Sequence, residues 1–264
     1  MKLEQIRLET ARFSCTAEDS GVCGGLSWEI GNVDDRFTLR LKSEGETEIT
    51  SVSARFAFDF EKKDMLFLNG YQSWTDSRER GARERMHSLE LVPRAVIDRF
   101  HLDGYGDYRF VDYGRGHGQQ HGFTYGYIRR GEEFMLLGSL AEESGFTVLR
   151  FDTGANTITL EKDCRGHHFR GDYTVFDLAI LHGTEDAVFD EYFRLLGVEP
   201  AKGKRLTGYT SCTTAMKTSA RRPSRRIWRA LRAARSCLTC SRSTTDTRTP
   251  SATGSSRTSA SPTA

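Results

Sequence analysis

Tyr71, Gln72, Trp74 and Asp76 fall within one stretch of six residues. Two aromatic rings beside an amide and a carboxylate form the kind of set that holds a sugar. A pyranose offers an apolar C–H face to a ring and a polar rim to hydrogen-bonding groups. The competing reading is that Tyr71 and Trp74 cap the end of a core, since tryptophan is usually well buried. Other chemistry-bearing residues are less persuasive. His117 and His121 have the spacing of two metal ligands on one helix face, but Gly116 and Gly118 argue against a helix there. With His167 and His168 they read as surface-loop histidines. Asp103, Asp107, Asp112 and Glu132 could pair for acid–base work, yet such acids in a charged β protein are expected to be solvated or salt-bridged. Cys237 and Cys240 form a single pair with redox or zinc spacing and no second pair. Gly114 to Gly118 is not followed by a helix and is no phosphate loop. The sequence implies no metal and no cofactor.

These residues need elements to place them. Met65 to Leu68 is apolar, too short for a helix and the right length for a buried strand. Asn69-Gly70 then breaks it with a turn. Upstream, residues 2–9 read as a weak strand with Leu3 and Ile6 out of step. Leu26–Ile30, Arg36–Leu41 and Ile49–Phe60 alternate apolar and polar, as half-buried strands do. Asp76 to Glu84 reads as a solvated loop. Strands are expected again at Tyr105–Tyr113, Gly122–Arg130, Glu133–Leu140, Phe146–Asp152, Thr157–Lys162 and Tyr173–His182. Arg129-Arg130-Gly131-Glu132 and Asp152 to Asn156 serve as hairpin turns. So many strands with little helix between them predict an all-β fold, a large antiparallel β-sandwich (a supersandwich) of two apposed sheets across 1–183. At Thr184 the period changes. Thr184 is a helix N-cap, Val188, Phe189, Tyr192, Phe193, Leu195 and Leu196 recur at helical spacing, and Gly197 suits the C′ position. Residues 184–205 are thus a linker helix and linker, and 206–211 open a new strand.

Charge divides the chain. Residues 212–264 hold 11 of the 38 Lys and Arg but one of the 36 acids, so 1–211 carry 27 basic and 35 acidic side chains, a net −8. The tail is rich in Ser, Thr, Arg and Ala, and too poor in apolar residues to offset its chain entropy. It is expected to be disordered. Its basic character permits a nonspecific polyanion binder, but that reads as an accident of composition, so no nucleic-acid partner is expected. Cys15, Cys23 and Cys164 read as free thiols. The apolar runs are too short for a membrane span and the N-terminus lacks signal-peptide character, so a cytoplasmic protein is expected.

Leu68-Asn69-Gly70-Tyr71-Gln72-Ser73-Trp74-Thr75 resembles the N-terminal signature of bacterial α-galactosidases of glycoside hydrolase family 36. Gly208-Tyr209-Thr210-Ser211 resembles the first barrel strand of that family, which normally continues Trp-Tyr-Asn. The resemblance covers about 1–211 and breaks at Cys212. One lost nucleotide accounts for the break: restoring a base after the Ser211 codon permits Trp-Tyr-Asn and, further on, Asp-Asp-Gly-Tyr. The tail therefore reads as out of frame. The resemblance implies a family that hydrolyses terminal α-linked galactose with retention, using two carboxylates on a (β/α)8 barrel. Those carboxylates lie beyond the point this chain reaches, so none is assigned here, and the chain alone is expected to be inactive. By motif match, Trp74, with Tyr71 and Gln72, is the substrate-binding set. Galactoside sugars are the implied ligands of the intact enzyme, and self-association is expected of a sandwich lacking its barrel. The alternative is a non-catalytic carbohydrate-binding module.

Overall fold

Alternating apolar residues build the molecule strand by strand. The computed structural model describes residues 1–33 and 35–199; the expected barrel strand 206–211 and tail 212–264 lie outside them. The chain begins with β1 (Lys2–Thr10), β2 (Ser14–Ala17), β3 (Gly21–Cys23), β4 (Leu26–Val33) and the long β5 (Arg36–Ala57). Then come β6 (Met65–Leu68), β7 (Glu79–Gly81), the short helix α1 (Arg94–Phe100) and β8 (Gln119–Phe123). Strands β9 (Tyr125–Arg130), β10 (Glu133–Ser139), β11 (Thr147–Asp152), β12 (Thr157–Lys162) and β13 (His167–Gly183) complete the sheet, and α2 (Glu185–Leu195) follows. The thirteen strands form one antiparallel hydrogen-bonded network, with the central path β7-β6-β9-β10-β13-β5-β12-β11-β8. The all-β antiparallel expectation holds, and the layers belong to a single curled sheet.

Long strands make the curl. The first part of β5 pairs with β4 and β13, and its last part with β1 and β12. Its buried positions change phase between these parts: Phe37, Leu39, Leu41 and Ile49 in one, Val52, Ala54 and Phe56 in the other. Thr50 is skipped in the pairing with β1, where Glu9 faces Ser51 and Thr10 faces Ile49. Such a bulge bends a strand and resets which side chains face inward. A second irregularity between Leu3 and Gln5 brings Leu3 opposite Phe56 and Ile6 opposite Ala54. That explains why Leu3 and Ile6 are out of step in the sequence. The main core lies within the curl and includes Phe37, Phe56, Leu66, Leu149, Phe151 and Phe176, with the Phe37 and Phe56 rings edge-to-face at 4.9 Å.

The expected helix is α2. Thr184 has extended backbone before it, though its side chain makes no capping hydrogen bond, and Gly197 takes a left-handed φ of 70°. Val188 and Tyr192 pack against Tyr127, Phe134 and Leu136 on the outer face of β9 and β10. Among the described residues no helix is long and apolar enough to cross a membrane, and Cys15, Cys23 and Cys164 are free.

Three expectations are corrected. Residues 105–113 form turns, not a strand, preceded by a 3-10 turn at Leu102–Gly104; the aromatic density there resembles a strand, although Tyr105 and Phe110 are exposed. Gly122–Arg130 is not continuous: Thr124 adopts a φ of 66° and separates β8 from β9. The charged segment 76–84 is not wholly a solvated loop. It contains β7, whose Arg80 is buried and ion-paired to Asp76 at 3.0 Å.

Candidate functional site: an aromatic loop clamped by a buried carboxylate

The loop after β6 starts where three strands meet. Asn69 donates its amide to Tyr125 O at 3.2 Å and accepts the Phe123 amide at 2.7 Å. It thereby ties β6 to both sides of the break at Thr124. Gly70 follows, where a Cβ would lie 2.5 Å from Thr75 Cβ and 2.9 Å from Ser77 Oγ. Only glycine lets the loop fold back on itself this tightly. The Gly70 amide donates to Ser77 Oγ at 2.9 Å, closing the loop at its neck.

A carboxylate from the 105–113 turns holds the loop from below. Asp107 is 1% exposed. Its carboxylate accepts the Tyr71 amide at 3.2 and 3.3 Å and the Thr75 hydroxyl at 2.6 Å. The Asp107 amide donates to the Tyr113 hydroxyl at 3.1 Å. Burial pushes the Tyr113 phenol up to about 12, so it stays neutral. Gln72 Nε2 donates to Gly104 O at 3.3 Å and Gly106 O at 2.5 Å. Two segments more than thirty residues apart in sequence are thereby locked into one body.

Above this clamp the aromatics are exposed. Trp74 is 68% exposed and meets Tyr105 edge-to-face at 5.7 Å. Tyr71 is 37% exposed, with Phe110 at 4.3 Å, Phe146 at 5.0 Å and Phe123 at 5.1 Å. Capping of a core thus describes part of Tyr71, which leans on buried Phe123, and does not describe Trp74. The result is an aromatic surface with a rigid backbone beneath it, able to receive the apolar face of a polar ring. Asp76 turns away from it and pairs with Arg78 at 3.1 Å and Arg80 at 3.0 Å.

The structure brings Tyr71, Gln72 and Trp74 onto one loop. Trp74 presents its ring outward, and the Gln72 amide nitrogen is spent on the 104–106 turn. Sequence reasoning missed Tyr105, Phe110 and Phe146 as their neighbours, and Asp107 as the clamp. The aromatic density of 105–113 was a signal for the first two; nothing local marks Asp107. It is buried and hydrogen-bonded, contrary to the expectation for these acids, whereas Asp103 does form an exposed ion pair, with Arg109 at 2.8 Å.

The histidines divide similarly. His117 is exposed in a turn, as expected; His168 is exposed and His167 lies against the Tyr173 ring at 4.5 Å, but both are paired in β13 and not in a loop. His121 corrects the surface-loop reading: it lies within β8, 2% exposed, edge-to-face with Tyr113 at 4.4 Å. Burial, then the positive charges of Arg150 and Arg80, lower its imidazole to about 3. Among the described residues no three His, Cys, Asp or Glu side chains converge on a metal position. The chain matches no family model and no curated protein sequence.

Proposed function

We propose that the chain is the N-terminal, non-catalytic part of an α-galactosidase of glycoside hydrolase family 36, and that Trp74 presents its indole to an α-linked galactoside. The observation that supports this reading is the combination at Trp74: a ring 68% exposed on a backbone fixed by buried Asp107. Exposing a large aromatic loses burial free energy, and fixing it loses chain entropy, so a rigid exposed tryptophan fits a contact to be made. Tyr71 forms the adjoining apolar floor, and Gln72 positions the turn that carries Tyr105. In the intact enzyme the hydrolytic carboxylates belong to a barrel, so this polypeptide binds sugar weakly and turns nothing over.

The test has two readouts. The full chain is titrated with raffinose while tryptophan fluorescence is followed, and separately assayed on an aryl α-galactoside. Saturable quenching lost in Trp74→Ala, without turnover, is the expected result; turnover removed by a carboxylate substitution within the chain would overturn it. A second reading, a free-standing carbohydrate-binding module, rests on the same exposed ring. It differs in predicting full affinity from this chain alone, and re-reading the DNA at the Ser211 codon separates the two.

A further inference from the structure

The outer face of β8, β11, β12 and β5 carries a second feature, which the aromatic loop does not use. Direct cross-strand partners line up His121, Arg150, Thr159 and Arg55 in one row across four strands. Residues that face one another across a sheet share its face, so all four project to the same side. A cavity of about 430 Å³ lies over this row, with Thr157 on its floor and residues 112–115 along its edge.

Several groups there have no protein partner among the described residues. Neither ring nitrogen of His121 makes a hydrogen bond, although the side chain is 2% exposed. No acid pairs with Arg55, and the Thr157 and Thr159 hydroxyls are equally unengaged. Arg150 donates Nη1 to Asp112 O at 2.9 Å; its Nε lies 2.8 Å from Glu161 Oε1 as an ion pair but makes no hydrogen bond, which leaves Nε and Nη2. Buried polar side chains are nearly always satisfied, so an unsatisfied one on a cavity wall points to a ligand.

The unengaged donors, rather than the net charge, decide the kind of ligand. The cations lining the cavity are Arg55, Arg115 and Arg150, and the acids are Asp112 and Asp152. Asp152 is already occupied by Gln119 Nε2 at 3.0 Å and by the amides of Gly154 and Ala155 at 3.0 and 2.9 Å. Arg115 is paired with Glu90 at 3.2 Å. The charges felt at His121 are those of Arg150 and Arg80, both positive. A neutral imidazole still has one N–H to donate.

We propose that this cavity binds a small oxyanion, a carboxylate or a phosphate, held by Arg55, Arg150 Nη2 and the Thr159 hydroxyl, with His121 beneath. Guanidinium groups suit both ligands, because their parallel N–H bonds match two oxygens on one centre. The site is independent of the sugar reading, since it shares no proposed ligand-contacting residue with it.

The experiment follows the His121 ring resonances of the full chain by NMR. Inorganic phosphate or malonate is added at constant ionic strength maintained with chloride. A saturable shift with either ligand is expected, and the arm that saturates identifies the class. Arg55→Ala should weaken binding about tenfold, as for loss of one charge-assisted pair, with Arg55→Lys recovering part of it. Thr159→Val, which keeps the β-branched shape, gives a second readout should the alanine variant fold poorly. Shifts that rise linearly with both ligands, or a saturable shift unchanged in both Arg55→Ala and Thr159→Val, would overturn the proposal.

Discussion

Asp107 holds an exposed aromatic loop still by taking a backbone amide and a hydroxyl from it while itself removed from water. Hydrogen bonds to a charged group contribute about 1.5–3 kcal/mol each, and losing the acceptor strands the buried donors as well. Asp107→Ala should therefore cost about 3 kcal/mol in urea unfolding and lose the near-ultraviolet dichroism of the Trp74–Tyr105 contact. Asp107→Asn retains an oxygen at the same place and should retain part of both. An alanine variant that unfolds at the wild-type urea concentration would show that the loop is fixed by something else. The role of Asp107 was not legible in the sequence. Flanked by Gly106 and Tyr108 it looks like any turn aspartate, and its partners lie 32 and 36 residues upstream. Trp74 was legible as a candidate because aromatic side chains beside polar ones after a turn are informative without tertiary context.

At the scale of elements, the site depends on how closely β8 approaches the end of β6. A Cβ on Gly122 would lie 2.7 Å from Asn69 O, 2.7 Å from Leu68 Cβ and 2.9 Å from the Leu68 carbonyl carbon. Two of those three atoms are backbone, which cannot rotate aside. Gly122→Ala should push Asn69 off the junction, destabilise the fold by about 2 kcal/mol, and raise amide exchange at Phe123, whose amide donates to Asn69 O. Unchanged exchange at Phe123 would mean that the strands separate without strain. Most of these strands were readable, because alternation survives wherever one face is buried: Arg36–Leu41, Glu133–Leu140 and Thr157–Lys162 stand close to where the pattern put them. The bulge at Thr50, the break at Thr124 and the short strand β7 were not, since each depends on a partner strand. Residues 105–113 misled for a different reason. Their aromatics serve the clamp and the aromatic surface, and side-chain type alone does not distinguish packing on a turn from packing on a strand.

Across the whole molecule, the buried imidazole of His121 couples stability to pH. Above its ordinary value of 6.5 neither the folded nor the unfolded chain protonates it. Between 6.5 and about 3 the unfolded chain binds a proton that the folded chain refuses, so the folded state loses ground as pH falls. One such proton is worth about 1.4 kcal/mol per pH unit. Other acid-sensitive groups act later in an acid titration. Glu79 is held low by its hydrogen bonds from Arg129, and Glu84 by those from Arg78, so their contributions are complete above the ordinary 4.5 and lost below it. Urea unfolding of the protein and of His121→Gln, in chloride buffers free of phosphate and carboxylate, separates the two effects. The carboxylate contributions are common to both proteins and cancel in the difference. From pH 6.5 to pH 4 the wild type should lose about 3 kcal/mol more than the variant. Parallel profiles would mean that the folded protein protonates His121 near its ordinary value, which requires water or a mobile Tyr113 ring to reach the imidazole. Because the row His121, Arg150, Thr159 and Arg55 spans four strands, the steepness of this acid limb reports how tightly Tyr113 closes over the outer face of the sheet at His121.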